Sequence, residues 1–272
     1  NGVVLITTKK GAKNQKAQIT YDGYVGFQKA SNVLELCNAK EYATMMLEGN
    51  YDAYVSHFKK SIDNYGGSYS DPDFHNWTYN TDNDWYDQML RTALITNHSL
   101  SIAGGSDKTT YSLGGSYLYQ DGIMDVDNNY KRLNFRAAVD YNATNWLKVG
   151  FNGVFSQSEQ QVPNNAAWQK AFNCPPIVAL YDKNNDKAFP NKYGSPDVLG
   201  YSSNFYNPIA FAEYYDSKKE SYQALTNFYA QIDFIPNKLN LRSNYSYSFL
   251  STQGREFTPA YYVSSWQQST TN

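Results

Sequence analysis

The sequence lacks any long apolar run: its mean hydropathy is −0.65, and no stretch approaches the ~18 apolar residues of a transmembrane helix. It has only two cysteines, Cys37 and Cys174, and neither lies in a zinc or redox motif. A single disulfide is possible, but nothing in their spacing indicates one. The 23 basic and 25 acidic residues leave a net charge of −2, so the sequence carries no electrostatic signature of nucleic-acid binding.

Aromatic residues, in contrast, are abundant. The chain contains 26 Tyr, 14 Phe and 5 Trp, which make up 17% of its residues. Tyr and Trp combine an apolar ring with a polar tip, which suits either a membrane–water interface or a carbohydrate-binding surface. This aromatic content exceeds what an ordinary core needs and favours one of these two surfaces, with a Tyr-rich soluble β-sandwich as the alternative.

Long stretches alternate between apolar and polar residues, as strands with two different faces do. In LKVGFNGVFS, for example, Phe151 falls on the apolar side and Asn152 on the polar side. The stretches run for about 10–14 residues, longer than ordinary globular strands and suited to tilted membrane strands. The pattern predicts an antiparallel meander of about seven strands, near residues 17–29, 95–106, 109–121, 130–143, 146–158, 219–235 and 238–251.

The segments between these strands alternate between long and short. Two long segments, about residues 30–94 and 159–218, alternate with short turns at 104–108, 142–145 and 235–238, and GIMDVDNN is intermediate. This order is typical of outer-membrane barrels, which have short turns on one side and long loops on the other. The sequence thus predicts an all-β, up-and-down transmembrane barrel portion rather than a sandwich.

The long loops also contain helical patterns. Asn38 followed by Glu41 forms a capping-box motif at the start of a pattern that continues to Lys60. A second short helix is expected over AAWQKAF, which ends where Cys174 precedes Pro175 and Pro176.

No catalytic constellation is present in the sequence. His57, His75 and His98 are scattered and show neither metal-ligand spacing nor the order of a catalytic triad. Asp182, Asn184 and Asp186 have the first spacings of a calcium loop, but Lys187 and Tyr193 replace its Gly and Glu. We therefore predict no catalytic residue, no metal site and no cofactor.

Aromatic residues in the long loops lie among Asn, Asp, Gly and Ser, an arrangement that suits stacking on sugars or capture of peptides. The alternative is that these rings pack within the loops or contact a partner protein. The candidate ligand-binding residues are Trp77, Tyr79, Trp168, Tyr201 and Tyr206.

Several motifs, in order, resemble one family. NGVVLITTKKG (residues 1–11) resembles the end of the plug domain in SusC/RagA-type TonB-dependent transporters of the Bacteroidetes outer membrane. LCNAKEY (residues 36–42) resembles a motif of the same family, with one residue more than its usual form. Residues 82–123 and 130–152 resemble the region around the next barrel strands. The resemblance covers roughly residues 1–160, and the remainder agrees in texture only.

This resemblance implies that residues 1–12 end a plug domain and that residues 13–272 begin a barrel of roughly 22 strands. It further implies an outer-membrane nutrient importer that performs no chemistry on its oligosaccharide or oligopeptide cargo. Its partners would be a SusD-like lipoprotein, the lipid of the cell outer membrane and, through a segment outside this chain, the TonB–ExbB–ExbD complex.

Two other classes compete with this interpretation. A soluble or surface carbohydrate-binding β-sandwich would also show alternating strands and many aromatic residues. A secreted glycosidase would need two carboxylates that face each other across a cleft, and nothing in the sequence pairs them.

Overall fold

The computed structural model describes residues 11–69, 77–235 and 238–271. Its strands are β1 (Gln15–Gln28), β2 (Gly67–Tyr69), β3 (Trp77–Tyr79), β4 (Ala93–Gly105), β5 (Thr109–Asp121), β6 (Asn129–Asn142), β7 (Leu147–Gln161), β8 (Asp216–Ile235), β9 (Leu239–Phe257), β10 (Tyr261–Tyr262) and β11 (Gln268–Ser269). Its α-helices are α1 (Ala39–Gly49), α2 (Tyr51–Tyr65), α3 (Trp85–Met89), α4 (Ala166–Asn173) and α5 (Pro208–Glu213), and a 3₁₀ turn spans Pro196–Leu199. The strand predicted for residues 1–11 falls almost entirely outside the described residues.

Seven long strands form one antiparallel sheet in the order β1-β4-β5-β6-β7-β8-β9. Apart from the short β2–β3 hairpin within the first long loop, the order follows the chain, so the predicted meander is confirmed. The strands contain 13 to 20 residues, whereas strands of globular proteins usually contain about 5–6. Within the described residues the other sheets are two short hairpins, β2–β3 and β10–β11, so no second large sheet forms the sandwich considered above.

The connections alternate in length as predicted. Connections of a few residues join β4 to β5, β6 to β7 and β8 to β9, all at the same end of the strands. At the opposite end of the strands, the two long connections run from residue 29 to 92 and from 162 to 215, and the β5–β6 connection is intermediate in length. The described helices all lie within the two long connections. One end of the strands therefore carries short connections, and the other end carries a separate folded layer.

The register gives the sheet two chemically different faces, because residues directly opposite each other on neighbouring strands point to the same side. The apolar face contains rows such as Tyr21, Leu100, Gly115, Phe135, Phe155, Ala224 and Phe249. The polar face contains rows such as Ser112, Ala138, Asn152, Asn227 and Ser246. Large side chains on the apolar face are exposed: Phe135 and Phe249 are 51% and 45% accessible.

The described parts of the two long connections pack together into one unit, which we call the loop subdomain (residues 29–69, 77–92 and 162–215). Its core contains fully buried side chains from both connections, including Phe58, Trp85, Ile177 and Leu199. Packing in this buried core stabilises the helices, because short isolated helices have only marginal stability in water.

Helix α1 begins with the predicted capping box: the Asn38 side chain accepts a hydrogen bond from the Glu41 amide, and the Glu41 carboxylate accepts one from the Asn38 amide. The helical pattern predicted from Asn38 to Lys60 forms two helices, because Asn50 divides it. Asn50 ends α1 in an extended conformation, and its side chain then caps α2 by accepting from the Ala53 amide. Helix α4 is confirmed and stops at Cys174 as expected.

Among the described residues, none of the helices has the length and apolar character needed to cross a membrane.

Gly150 on the polar face of β7 has a close neighbour. The ring of Tyr229 lies over it, and a Cβ at this position would overlap that ring. We expect Gly150→Ala to lower the free energy of unfolding by about 1–3 kcal/mol, the usual cost of forcing an extra group into a packed site. The measurement is denaturant unfolding of the full-length protein in detergent.

Gly254→Ala is the matched control, because a Cβ on Gly254 has no atom within 4 Å and β9 carries it on the same face. Equal losses of stability in the two variants would contradict this account of Gly150.

Candidate ligand-binding site

The structure places the five predicted aromatic residues in different environments. Trp77 and Tyr201 are buried, with 8% and 6% of their surface accessible, whereas Tyr79, Trp168 and Tyr206 are half-buried. All five belong to the loop subdomain, yet they do not form one common surface. Their assignment as ligand-binding residues stays a prediction, and their packing indicates which rings have a face free.

Trp77 and Tyr79 contribute to the core of the loop subdomain. The ring of Trp77 lies 5.3 Å from Tyr54 and 5.9 Å from Phe58, measured between centroids. Tyr79 lies 5.1 Å from the same Phe58. Because these rings pack on one another, they stabilise the short β2–β3 hairpin against α2.

Tyr201 is held by polar and aromatic contacts. Its ring stacks on His57 at 4.1 Å with an interplanar angle of 16°, and its hydroxyl lies 3.2 Å from that of Tyr42. Burial is the main reason why the pKa of the Tyr201 hydroxyl is raised above 10.0, and burial likewise raises the pKa of Tyr42. Both hydroxyls are therefore neutral at ordinary pH and act in packing.

Tyr206 contacts a cation. The Lys170 ammonium lies 3.8 Å from the centroid of the Tyr206 ring, and Phe211 packs edge-on at 5.7 Å. This cation–π contact joins α4 to the start of α5 and occupies one face of the Tyr206 ring.

Trp168 is the predicted residue that lies beside a cavity. It projects from α4, and one side of its ring packs on Tyr86 at 5.6 Å. The cavity has a volume of about 480 Å³ and lies where the loop subdomain meets the ends of β5, β6 and β7. We call it the rim cavity, and its lining residues are Gln120, Asp121, Gly122, Ile123, Met124, Asn128, Asn129, Tyr130, Gln160, Gln161, Pro163, Asn165 and Trp168.

The rim cavity depends on the sheet register. Gln120, Tyr130 and Gln160 lie side by side because β5 pairs with β6 and β6 with β7 at these positions. Only a few residues separate the end of β7 at Gln161 from Asn165 and Trp168. Sequence reasoning identified Trp168 but missed the carboxamides. Gln120 and Gln160 are forty positions apart in the chain, and only strand pairing brings them close together.

A second polar group lies on the same face of the sheet, nearer the short turns. The Tyr229 hydroxyl donates a hydrogen bond to the Asp140 carboxylate, and the Arg242 guanidinium lies 3.8 Å from the Tyr229 ring centroid. The Lys148 ammonium lies 6.0 Å from the same ring. This group connects β6, β8 and β9 on the polar face, across the intervening strand β7.

The carboxylates of the calcium-loop-like segment, residues 182–186, form hydrogen bonds and ion pairs within the protein. Asp182 accepts a hydrogen bond from the Asn184 amide at 2.8 Å, and Asp186 lies 3.2 Å from the Lys192 ammonium. Within the described residues, no group of three or more His, Cys, Asp or Glu side chains could hold a metal ion.

Comparison with known proteins gives consistent relatives. The chain is 29% identical over 262 residues to TonB-dependent receptor P3 of Formosa agariphila, covering 95% of this chain and 23% of that protein. It is 28% identical over 262 residues to TonB-dependent receptor P26 of the same organism, covering 95% of this chain and 24% of the relative. With TonB-dependent receptor SusC of Bacteroides thetaiotaomicron it shares 29% identity over 197 residues, which cover 71% of this chain and 17% of SusC.

Solved structures agree at the level of the fold. The RagAB peptide importer in its closed-closed state matches with a TM-score of 0.66 and 20% identity, over 93% of this chain and 30% of that one. The open-open state matches with a TM-score of 0.67 and 20% identity, over 92% and 29% of the two chains. No family model matches the sequence.

The resemblance to SusC/RagA-type TonB-dependent transporters is therefore confirmed over most of the chain. The chain spans about a quarter of the length of the first two relatives, 23% and 24%. Its long antiparallel sheet has the fold of a portion of these receptor barrels.

The buried tyrosines predict how stability depends on pH. Above pH 10, the unfolded chain ionises at Tyr201 while the folded loop subdomain keeps the proton, because burial raises the folded pKa. The free energy of unfolding should therefore fall as pH rises from 10. In Tyr201→Phe this group no longer titrates, so the fall should be shallower, although the lost hydroxyl contact costs about 1 kcal/mol at neutral pH.

Thermal unfolding of the full-length protein between pH 8 and 11, followed by near-ultraviolet circular dichroism, measures both effects. Parallel pH dependence in parent and variant would contradict a raised pKa at Tyr201.

Proposed function

We propose that this chain is part of an outer-membrane, TonB-dependent nutrient importer of the SusC/RagA type. The observation that carries the proposal is a sheet of seven long strands with one exposed apolar face, combined with similarity to TonB-dependent receptors over 95% of the chain. Exposed apolar side chains in continuous rows are expected where a surface meets lipid.

The apolar face has the dimensions of a membrane band. On β7 it runs from Leu147 to Phe155, nine residues, close to the about 9–11 that a tilted strand needs to cross a bilayer. Beyond Phe155, toward the long loops, charged residues return on the same face. The Lys218 ammonium lies 3.0 Å and the Lys131 ammonium 3.7 Å from the Glu159 carboxylate, which supports an outer boundary of the hydrocarbon near this row.

The polar face then lines the barrel interior, and the loop subdomain faces outward from the cell. The cargo is an oligosaccharide or oligopeptide, bound outside together with a SusD-like lipoprotein. TonB–ExbB–ExbD supplies the energy for uptake through a segment outside this chain, and residues 1–12 form the end of the plug. The protein binds and gates the cargo without changing it chemically, so no residue is given a catalytic role.

Among the predicted ligand contacts, the packing favours Trp168 over the others. Its ring contacts Tyr86 and it also lines the rim cavity, whereas Tyr206 has one face covered by Lys170. Trp77, Tyr79 and Tyr201 serve mainly to hold the loop subdomain in shape.

Deletion of the gene in its native host tests the transport function. We expect the deletion strain to lose uptake of at least one class of labelled oligosaccharide or oligopeptide, and the same loss after TonB is inactivated. Reintroduced full-length protein should fractionate with the outer membrane and restore uptake. Unchanged uptake of both cargo classes, or recovery of the protein in the soluble fraction, would reject the proposal.

Substitutions on β7 test which face meets lipid. Phe151→Arg places a charge on the apolar face near the middle of the band, and we expect a loss of about 2–4 kcal/mol in stability in bilayers. Asn152→Arg, the matched variant, points to the polar face and should cost little. The measurement is reversible denaturant unfolding of the full-length protein in lipid vesicles, and similar losses for the two variants would argue against the lipid assignment.

A further inference from the structure

The rim cavity contains an unusual density of carboxamides. Six of its thirteen lining residues carry a primary amide: Gln120, Asn128, Asn129, Gln160, Gln161 and Asn165. A carboxamide offers two donor hydrogens and an acceptor oxygen on one planar group. This matches ligand hydroxyl groups, each of which donates one hydrogen bond and accepts others.

Several of these polar groups are available to a ligand. Within the described residues, the side chains of Gln160 and Asn165 make no hydrogen bond to protein, and both are exposed. Asn165 precedes α4 without capping it by its side chain. Asn128 is 4% accessible; its amide nitrogen donates to the Met124 carbonyl at 3.1 Å, while its side-chain oxygen has no partner.

Charge is nearly absent from the lining. Asp121 is the single Asp, Glu, Lys, Arg or His in this lining, and it is already engaged by the Tyr119 hydroxyl at 2.7 Å and the Arg91 guanidinium at 3.9 Å. A charged ligand group entering the cavity would lose water without gaining a free counter-charge. The lining therefore favours an uncharged ligand.

The backbone gives little support to a peptide ligand. Peptides are commonly held by main-chain hydrogen bonds to an exposed sheet edge. Strands β5, β6 and β7 are interior strands with neighbours on both sides, so their backbone groups are already paired. What the cavity offers instead is side-chain amides and two aromatic residues, Tyr130 and Trp168.

We propose that the rim cavity is a binding subsite for an uncharged, hydroxyl-rich sugar unit, which stacks on Trp168 and is hydrogen-bonded by Gln160 and Asn165. The proposal rests on the importer function above and chooses the oligosaccharide over the oligopeptide as cargo. Its volume of about 480 Å³ lies within the range of about 300–1,000 Å³ found for small-molecule sites. Aromatic rings and carboxamides together supply the stacking surface and the hydrogen bonds that such a ligand requires.

Isothermal titration of the full-length protein in detergent tests the proposal with five defined probes. Three are neutral hexasaccharides, of glucose, xylose and mannose; the fourth is a hexasaccharide of galacturonate, and the fifth is a hexapeptide blocked at both ends. The substitutions are Gln160→Leu and Asn165→Leu, two separate variants so that one remains informative if the other folds poorly. Trp168 is left intact because its packing on Tyr86 also supports α4.

The matched control is Gln223→Leu, since Gln223 is exposed on the same polar face and lies outside the cavity lining. We expect at least one neutral hexasaccharide to bind, an about tenfold weaker affinity in each cavity variant, as loss of a ligand hydrogen bond implies, and an unchanged affinity in the control.

Failure of all three neutral hexasaccharides to bind, binding of the peptide or galacturonate probe alone, or equal affinities in cavity and control variants would overturn the subsite. None of these outcomes touches the importer function, which depends on the separate uptake and fractionation experiment.

Discussion

The hydrogen-bonded register of the seven long strands is the constraint on which the rest of the structure depends. Side chains alternate along each strand, so a slip of one residue would exchange the two faces of the sheet. In the observed register, Phe135, Phe155 and Phe249 share one face, while the adjacent positions Asn134 and Ser156 share the other. The same pairing satisfies the backbone groups of the interior strands, which hydrocarbon surroundings would require.

Hydrogen bonds also hold the two long connections to each other. The Trp85 indole donates to the Pro175 carbonyl at 3.1 Å, and the Ser61 hydroxyl donates to the Ile177 carbonyl at 2.9 Å. Asn83 donates through its backbone amide to the Pro176 carbonyl at 2.9 Å. These bonds lie at the buried core of the loop subdomain, so removing one partner would leave a desolvated polar group. Residues 175–177 of the second connection thus accept the hydrogen bonds that hold it to the first connection.

The strands could be predicted from the sequence because their signal is local. A period of two is visible within a single stretch such as LKVGFNGVFS, and residues that favour turns, such as Asn142 and Asn145, separate it from the stretch before. The capping box at Asn38 is equally local, since its members lie three residues apart. The break at Asn50 was missed because the apolar pattern continues through it, although Gly49 and Asn50 together form a recognisable stop and restart.

The roles of the loop aromatics could not be predicted in the same way. Trp77 is covered by Tyr54 and Phe58, and Tyr201 by His57, which lies more than 140 positions earlier. A polar local sequence surrounds both rings, so the sequence suggests exposure where the tertiary structure provides burial. The contact between Tyr229 and Asp140 is similar, because only the pairing through Gly150 brings these two side chains together.

The rim cavity is lined both by residues on paired strands and by residues on a long connection, and each set is held in place in a different way. Gln120, Tyr130 and Gln160 are positioned by strand pairing, and sites on strands are held more precisely than sites on loops. Asn165 and Trp168 belong to a loop, yet the tether from the end of β7 is only a few residues long, and α4 is packed against the core through Ala167 and Ala171. A backbone held this closely loses little conformational freedom when a ligand binds, so the ordering cost falls mainly on the exposed side chains of Gln160 and Asn165. The backbone on both sides of the cavity is therefore preorganised, on one side by strand register and on the other by a short, anchored connection.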